Sequence, residues 1–151
     1  MPRRKFPHPA RLPMVEILID YQEGLTCHAV HTPSGAKITT DAPLDNQGRG
    51  QSFSPTDLVA TALGTCMATI MGIAAERKGI SLKGMTIAVR KIMHTEGVRR
   101  IGRLEIDIDV PLPVDHPYRD LLINSAIACP VHHSLHPDID CDIQWSWSGK
   151  N

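Results

Sequence analysis

The chain has 151 residues, of which 42% are hydrophobic, 21% charged and only 4% aromatic. This length fits a single domain with a substantial core, which aliphatic side chains and Met must fill because aromatic residues are scarce. Basic and acidic residues balance at 16 each, so the formal net charge is zero, and we predict neither a nucleic-acid nor a membrane partner.

Residues 1–14 are basic and rich in proline, and they lack the apolar segment of a signal peptide. We predict a flexible arm there, followed by a single domain over residues 15–149. The cysteines show no tight secretory spacing, which favours a cytoplasmic protein with reduced thiols. They are Cys27, Cys66, Cys129 and Cys141.

Three short strands are predicted at the start of the domain, over Val15–Tyr21, Leu25–His31 and Ala36–Thr40. Turn residues separate them, which favours an antiparallel meander. Asp41–Phe53 is then predicted as a loop.

One long helix is predicted over Ser54–Gly79. Ser54 suits the N-cap, Pro55 the first helical position, and Gly79 a left-handed position just beyond the end. The run Val59–Ala75 carries no charge, so the helix must be buried on nearly every side. The run is too short and too rich in small residues for a good membrane span.

The second half of the chain alternates between strands and helices. We predict strands over Leu82–Met93, Ile101–Val110 and Ile139–Trp147, where apolar residues recur at every second position. Helices are predicted over Tyr118–Ala128, with Asp115 or His116 near its cap, and over Val131–Leu135. The order is βββ-α-ββ-α-α-β, an α+β chain.

The cysteines differ in what their positions indicate. Cys27 and Cys141 alternate with apolar strand residues and are predicted as core residues, although a disulfide between them is conceivable. Cys66 is a small helical residue about three turns from the helix start, too far for the helix dipole to lower its pKa much. Cys129 precedes Pro130 at a helix N-terminus, which favours a thiolate as much as a plain Cys-Pro break.

A metal site is a competing interpretation of the C-terminal third. Cys129, Cys141 and three histidines lie close together in sequence, and thiolate with imidazole is zinc chemistry. The histidines are His132, His133 and His136. No spacing among these residues matches a known zinc motif, so surface histidines and no metal are the prediction.

Two motifs resemble those of the OsmC/Ohr family, the osmotically inducible protein C and organic hydroperoxide resistance proteins. The first is Gly50–Leu58 with Ala62 and Cys66, and the second is Ala128-Cys129-Pro130-Val131. The resemblance extends from about Val15 onward and includes the order of elements. It implies an OsmC-like α+β fold, with the long central helix packed against sheets, and an intertwined homodimer with active sites at its interface.

The resemblance also implies thiol-dependent peroxidase chemistry. Cys66 matches the cysteine that attacks an organic hydroperoxide and becomes a sulfenic acid, and Cys129 matches the resolving cysteine that condenses with it to a disulfide. A dithiol reductant of the dihydrolipoyl type then regenerates both thiols. No cofactor or metal is required.

The chain departs from the family in the groups that activate the thiol. The turn Gln22-Glu23-Gly24 lacks the family's arginine, and Thr56 replaces its glutamate. We therefore predict that Arg49 supplies the positive charge and that Asp57 orients it. The alternative is an OsmC-like small-molecule binding protein with little peroxidase activity.

Overall fold

The structure is a computed structural model that describes residues 14–150. The predicted order of elements is confirmed, while the predicted arm, except Met14, lies outside the described residues. The strands are β1 (Ile17–Tyr21), β2 (Thr26–His31), β3 (Lys37–Asp41), β4 (Thr86–Met93), β5 (Ile101–Val110) and β6 (Asp140–Trp147). The helices are α1 (Pro55–Glu76), α2 (Arg119–Ile127) and α3 (Pro130–Ser134).

The chain divides into two compact units, of which the first ends at Pro55 and the second begins at Thr56. Whether residues 15–149 act as a single domain stays a prediction.

In the first unit, β1, β2 and β3 form the predicted antiparallel meander. Ile19 lies opposite Ala29, and Ala29 lies opposite Ile38, so these residues share one face of the sheet. The exposure of the large side chains on this face ranges from 50% at Ile38 to 67% at Ile19. We call this surface the apolar face of the first sheet; its large residues are Ile17, Ile19, Tyr21 and Ile38.

Backbone contacts hold together the two ends of the loop after β3. The Gly50 N–H donates to the Ala42 carbonyl at 3.2 Å, and Gly50 has a left-handed φ of 60°. A Cβ at Gly48 would lie 1.6 Å from the Ala42 carbonyl oxygen, so only glycine fits there. A 3₁₀ turn at Leu44–Asn46, which was not predicted, lies inside this loop.

In the second unit, α1 buries one face, and this face forms the core with β5 and α2. Its buried residues recur at helical spacing: Ala60, Leu63, Gly64, Met67, Met71 and Ala75. The opposite face is uncharged but exposed or half-buried in the single chain, so the expectation of burial on nearly every side is not met within it. One described helix, α1, is long and apolar enough to cross a membrane, a property it shares with core helices.

The end of α1 confirms the prediction for Gly79, which has a φ of 67°. The Gly79 N–H donates to the Glu76 carbonyl, and the Ile80 N–H donates to the Ala75 carbonyl, both at 3.0 Å. This pair of bonds is the Schellman motif, which satisfies carbonyls that the helix leaves free.

The second sheet has the order β4-β5-β6, with β4 antiparallel and β6 parallel to β5. The prediction that the first of these strands begins at Leu82 is wrong, because Gly84 has a φ of 94° and the Met85 N–H turns back to the Leu82 carbonyl at 2.9 Å. As predicted, α2 has His116 near its cap. Its N-cap is Tyr118, whose N–H donates to the His116 ring at 3.2 Å.

Candidate active site

Cys66 lies in the middle of α1, next to the fully buried Met67. It is half-buried and packs against the hydrophobic core of the second unit. Its thiol therefore lies at the border between the core and the uncharged, more exposed face of α1.

Cys129 is the N-cap of α3, as predicted, and Pro130 takes the first helical position. Its extended backbone (φ −64°, ψ 142°) is the conformation that a following proline favours. Its Sγ accepts a hydrogen bond from the His132 backbone N–H at 3.3 Å, and the residue is fully buried.

The structure brings these two cysteines together. Burial raises the pKa of the Cys129 thiol, and a side-chain hydrogen bond with Cys66 and the negative charge of an ionised Cys66 raise this pKa further. The backbone N–H groups of His132 and Val131 act in the opposite direction but are outweighed. All four cysteines are free thiols.

The raised pKa weighs against the interpretation of Cys129 as a thiolate favoured by its helix N-terminus. The helix has only five residues, so its dipole is small, and burial penalises the charged form.

Asp57 contacts a residue that the sequence reasoning missed. The Lys91 ammonium lies 2.7 Å from Asp57 Oδ1 and 2.7 Å from Thr56 Oγ1, and its side chain is only 14% exposed. Lys91 follows Ile87 and Val89 on the same face of β4, so a lone basic residue in an apolar alternation was the signal that could have identified it.

Within one copy of the second unit, Asp57 does not lie beside Cys66, and Arg49 belongs to the first unit. Cys66 follows Asp57 by nine residues on α1, about two and a half turns or ~13.5 Å along the axis, which places the two on opposite sides. Arg49 is exposed between Gly48 and Gly50 in the loop of the first unit. The roles of Arg49 and Asp57 stay predictions.

The histidines near Cys129 do not form the competing zinc site among the described residues. No three His, Cys, Asp or Glu side chains within residues 14–150 are arranged to hold a metal ion. The His132 ring contacts the Ile127 carbonyl at 3.0 Å, and the His136 ring accepts the Asp138 N–H at 3.1 Å, while His133 is exposed.

The other two cysteines have different surroundings. Cys141 packs against the core of the second unit, as predicted, and burial raises the pKa of its thiol. Cys27 lies opposite Tyr21 in the first unit and therefore on the apolar face of the first sheet, which is exposed in this chain.

Comparison with known proteins identifies the family. The model of the family described as OsmC-like protein matches residues 48–144, which include both Cys66 and Cys129. The chain belongs to the OsmC-like protein family.

Solved structures agree with this family and confirm the OsmC-like α+β fold. A protein from Psychrobacter arcticus 273-4, named for an osmotic stress induced and detoxification response, is 40% identical with a TM-score of 0.82; the match covers 89% of this chain and 98% of that one. The organic hydroperoxide resistance protein OsmC from Legionella pneumophila is 16% identical, with 91% and 99% covered and a TM-score of 0.71.

The organic hydroperoxide resistance protein from Elizabethkingia anophelis is 15% identical, with 90% and 97% covered and a TM-score of 0.72. At these low identities, the last two structures show the fold alone. A comparison with curated proteins finds no match.

Proposed function

We propose that this chain is a cytoplasmic, thiol-dependent peroxidase that reduces organic hydroperoxides in oxidative-stress defence. The observation that carries the proposal is the contact between the Cys66 and Cys129 thiols, because a peroxidase of this type needs a second thiol within reach of the first. Membership of the OsmC-like family supports it, as do the names of the Legionella and Elizabethkingia proteins.

The proposed reaction has three steps. The Cys66 thiolate attacks the O–O bond of the hydroperoxide, which releases the alcohol after protonation and leaves Cys66 as a sulfenic acid. The Cys129 sulfur then attacks the Cys66 sulfur, and the hydroxyl group leaves as water while the disulfide forms. A dithiol of the dihydrolipoyl type reduces the disulfide and is itself oxidised to its cyclic disulfide.

The surroundings of the two thiols support this division of roles. Cys66 is half-buried, whereas Cys129 is fully buried and its pKa is raised by burial. Because the thiolate is the nucleophile and a hydroperoxide must reach it, Cys66 is the better candidate for the first attack. Cys129 suits the second step, in which its partner is already in contact.

Arg49 is proposed to stabilise the Cys66 thiolate, with Asp57 as the residue that orients it. Asp57 and Cys66 lie on opposite sides of α1, so we assign this help to a second copy of the chain in a homodimer. Lys91 already holds Asp57 Oδ1, which fixes the carboxylate in one orientation.

The test is hydroperoxide consumption with a dithiol reductant. We expect wild type to turn over and Cys66→Ser to lose at least about a hundredfold in rate, because the nucleophile itself is removed. The control is Cys141→Ser, which removes a thiol from the same unit and should keep the wild-type rate. Equal rates for wild type and Cys66→Ser would rule out the proposal.

The second candidate is a small-molecule binding protein that uses the same site. The raised pKa of Cys129 favours it, because a higher pKa leaves less of the nucleophilic thiolate. Thiol labelling of Cys66 distinguishes the two functions. Labelling no faster than that of a free cysteine at neutral pH would favour binding, and faster labelling would favour the peroxidase.

A further inference from the structure

His132 forms hydrogen bonds to the Cys129 thiol and to Ile127, which precedes Cys129 in the chain. Its backbone N–H donates to Cys129 Sγ at 3.3 Å, and its ring Nδ1 lies 3.0 Å from the carbonyl oxygen of Ile127, the last residue of α2. A carbonyl oxygen only accepts hydrogen bonds, so Nδ1 must carry a proton in this contact. In the neutral ring Nε2 is then the unprotonated nitrogen.

This ring contact spans the break between α2 and α3. Cys129 has an extended backbone, and Pro130 has no N–H to donate, so the break has fewer backbone bonds than a continuous helix. The Cys129 N–H bond to Ala126 at 3.2 Å and the His133 N–H bond to Cys129 at 3.2 Å hold the two ends. The ring bond of His132 adds a side-chain link across the same turn.

We propose that His132 is a positioning residue for the resolving thiol: its Nδ1–H bond to Ile127 holds the Cys129 turn so that Sγ remains against Cys66. This inference rests on the proposed function for its catalytic consequence, but the positioning itself concerns only the thiol pair. Holding two reacting groups in place raises their effective concentration.

The consequence lies in the second step of the reaction. When the turn is loosened, Cys129 reaches the Cys66 sulfenic acid more slowly, and the sulfenic acid survives longer. A second hydroperoxide can then transfer one oxygen atom to Cys66, which gives a sulfinic acid and a second molecule of alcohol. His132 therefore protects Cys66 from irreversible oxidation.

The experiment compares His132→Leu with His132→Asn. Leu removes the donor, whereas the side-chain nitrogen of Asn is the same number of bonds from Cβ as Nδ1 and can donate to the Ile127 carbonyl. His133→Leu is the matched control, since His133 is the exposed neighbour on the same helix. Circular dichroism of each variant establishes that it is folded.

The first readout is a single turnover with one equivalent of organic hydroperoxide. We expect His132→Leu to release alcohol at the wild-type rate but to close the disulfide up to about tenfold more slowly, as the loss of one hydrogen bond implies. His132→Asn should restore closure, and His133→Leu should not differ from wild type. Mass spectrometry should find more Cys66 sulfinic acid in His132→Leu under repeated doses.

The second readout does not depend on peroxidase activity. Each variant is equilibrated with mixtures of reduced and oxidised dithiothreitol, and the fraction of Cys66–Cys129 disulfide is measured. His132→Leu should lower the equilibrium constant for disulfide formation, and Asn should restore it. If wild type consumes no hydroperoxide, the proposed function fails, and this equilibrium still tests His132. The positioning role would be overturned if His132→Leu had the wild-type equilibrium constant for disulfide formation. It would also be overturned if the constant for His132→Asn were as low as that for His132→Leu.

Discussion

At the scale of single residues, Cys129 shows how burial outweighs a helix N-terminus. Two backbone N–H groups stabilise its thiolate, yet burial and the neighbouring Cys66 leave the pKa of the thiol raised. Part of the pKa shift of Cys129 comes from Cys66, so a measurement of this pKa tests the contact between the two thiols.

We predict that Cys66→Ala lowers the pKa of Cys129, because both contributions of Cys66 raise it. The measurement is the ultraviolet thiolate absorbance against pH, in a background where Cys27 and Cys141 are Ser. The step for Cys129 should then begin at lower pH than in the two-thiol protein. An unchanged titration would contradict the contact.

Lys91 and Cys129 show which properties of single residues the sequence does not predict. Lys91 was visible only as a charge in an apolar alternation, and nothing along the chain pairs it with Asp57, 34 residues earlier. The N-cap position of Cys129 followed from Pro130 alone, because the restriction is local. Its burial depends on which elements pack over it, and local sequence does not determine that.

At the scale of elements, α1 packs closely on the second sheet at Gly64. A Cβ at this position would lie 2.9 Å from Val89 Cγ2 and 3.5 Å from Ile87 Cγ2. Because Gly64 has no side chain, α1 can pack closely on β4. This explains the glycine on the buried face of the helix.

We predict that Gly64→Ala lowers the free energy of unfolding by roughly 1 kcal/mol, because overpacking costs ~1–3 kcal/mol and the gain in helix propensity returns up to ~1 kcal/mol. Val89 is β-branched and has little freedom to move away. Urea unfolding at a fixed protein concentration measures the change.

The double variant Gly64→Ala with Val89→Ala is the control. Removing the Val89 methyl groups relieves the contact, so the double variant should be more stable than the sum of the two single effects implies. Strictly additive effects would show that the 2.9 Å contact is not the cause.

The elements themselves were largely predictable because their signals are local. The alternation of β5, the Schellman end of α1 at Gly79 and the Cys-Pro break all follow from a few neighbouring residues. The error at β4 arose because apolar residues also precede a backbone turn: the left-handed φ of Gly84 keeps Leu82 out of the strand, which begins only at Thr86. The parallel pairing of β6 with β5 joins distant segments and has no local signal.

At the scale of the whole molecule, each unit separately leaves apolar or uncharged surface uncovered. In the first unit it is the apolar face of the first sheet. In the second unit it is the exposed face of α1, where the hydroxyls of Thr61, Thr65 and Thr69 donate to their own helix backbone. Surfaces of this kind mark interaction sites, and they support the proposed homodimer.

We predict that Thr69→Arg disrupts the homodimer. Thr69 is exposed in the single chain, so Arg is tolerated there unless a second copy buries the position, where an unpaired charge is costly. The control is Thr86→Arg, an exposed Thr of β4 that lies opposite Asp109. Light scattering after gel filtration should give twice 16.6 kDa for wild type and Thr86→Arg, and the single-chain mass or aggregation for Thr69→Arg. A wild-type protein at 16.6 kDa, or a Thr69→Arg variant that remains dimeric, would contradict this interface.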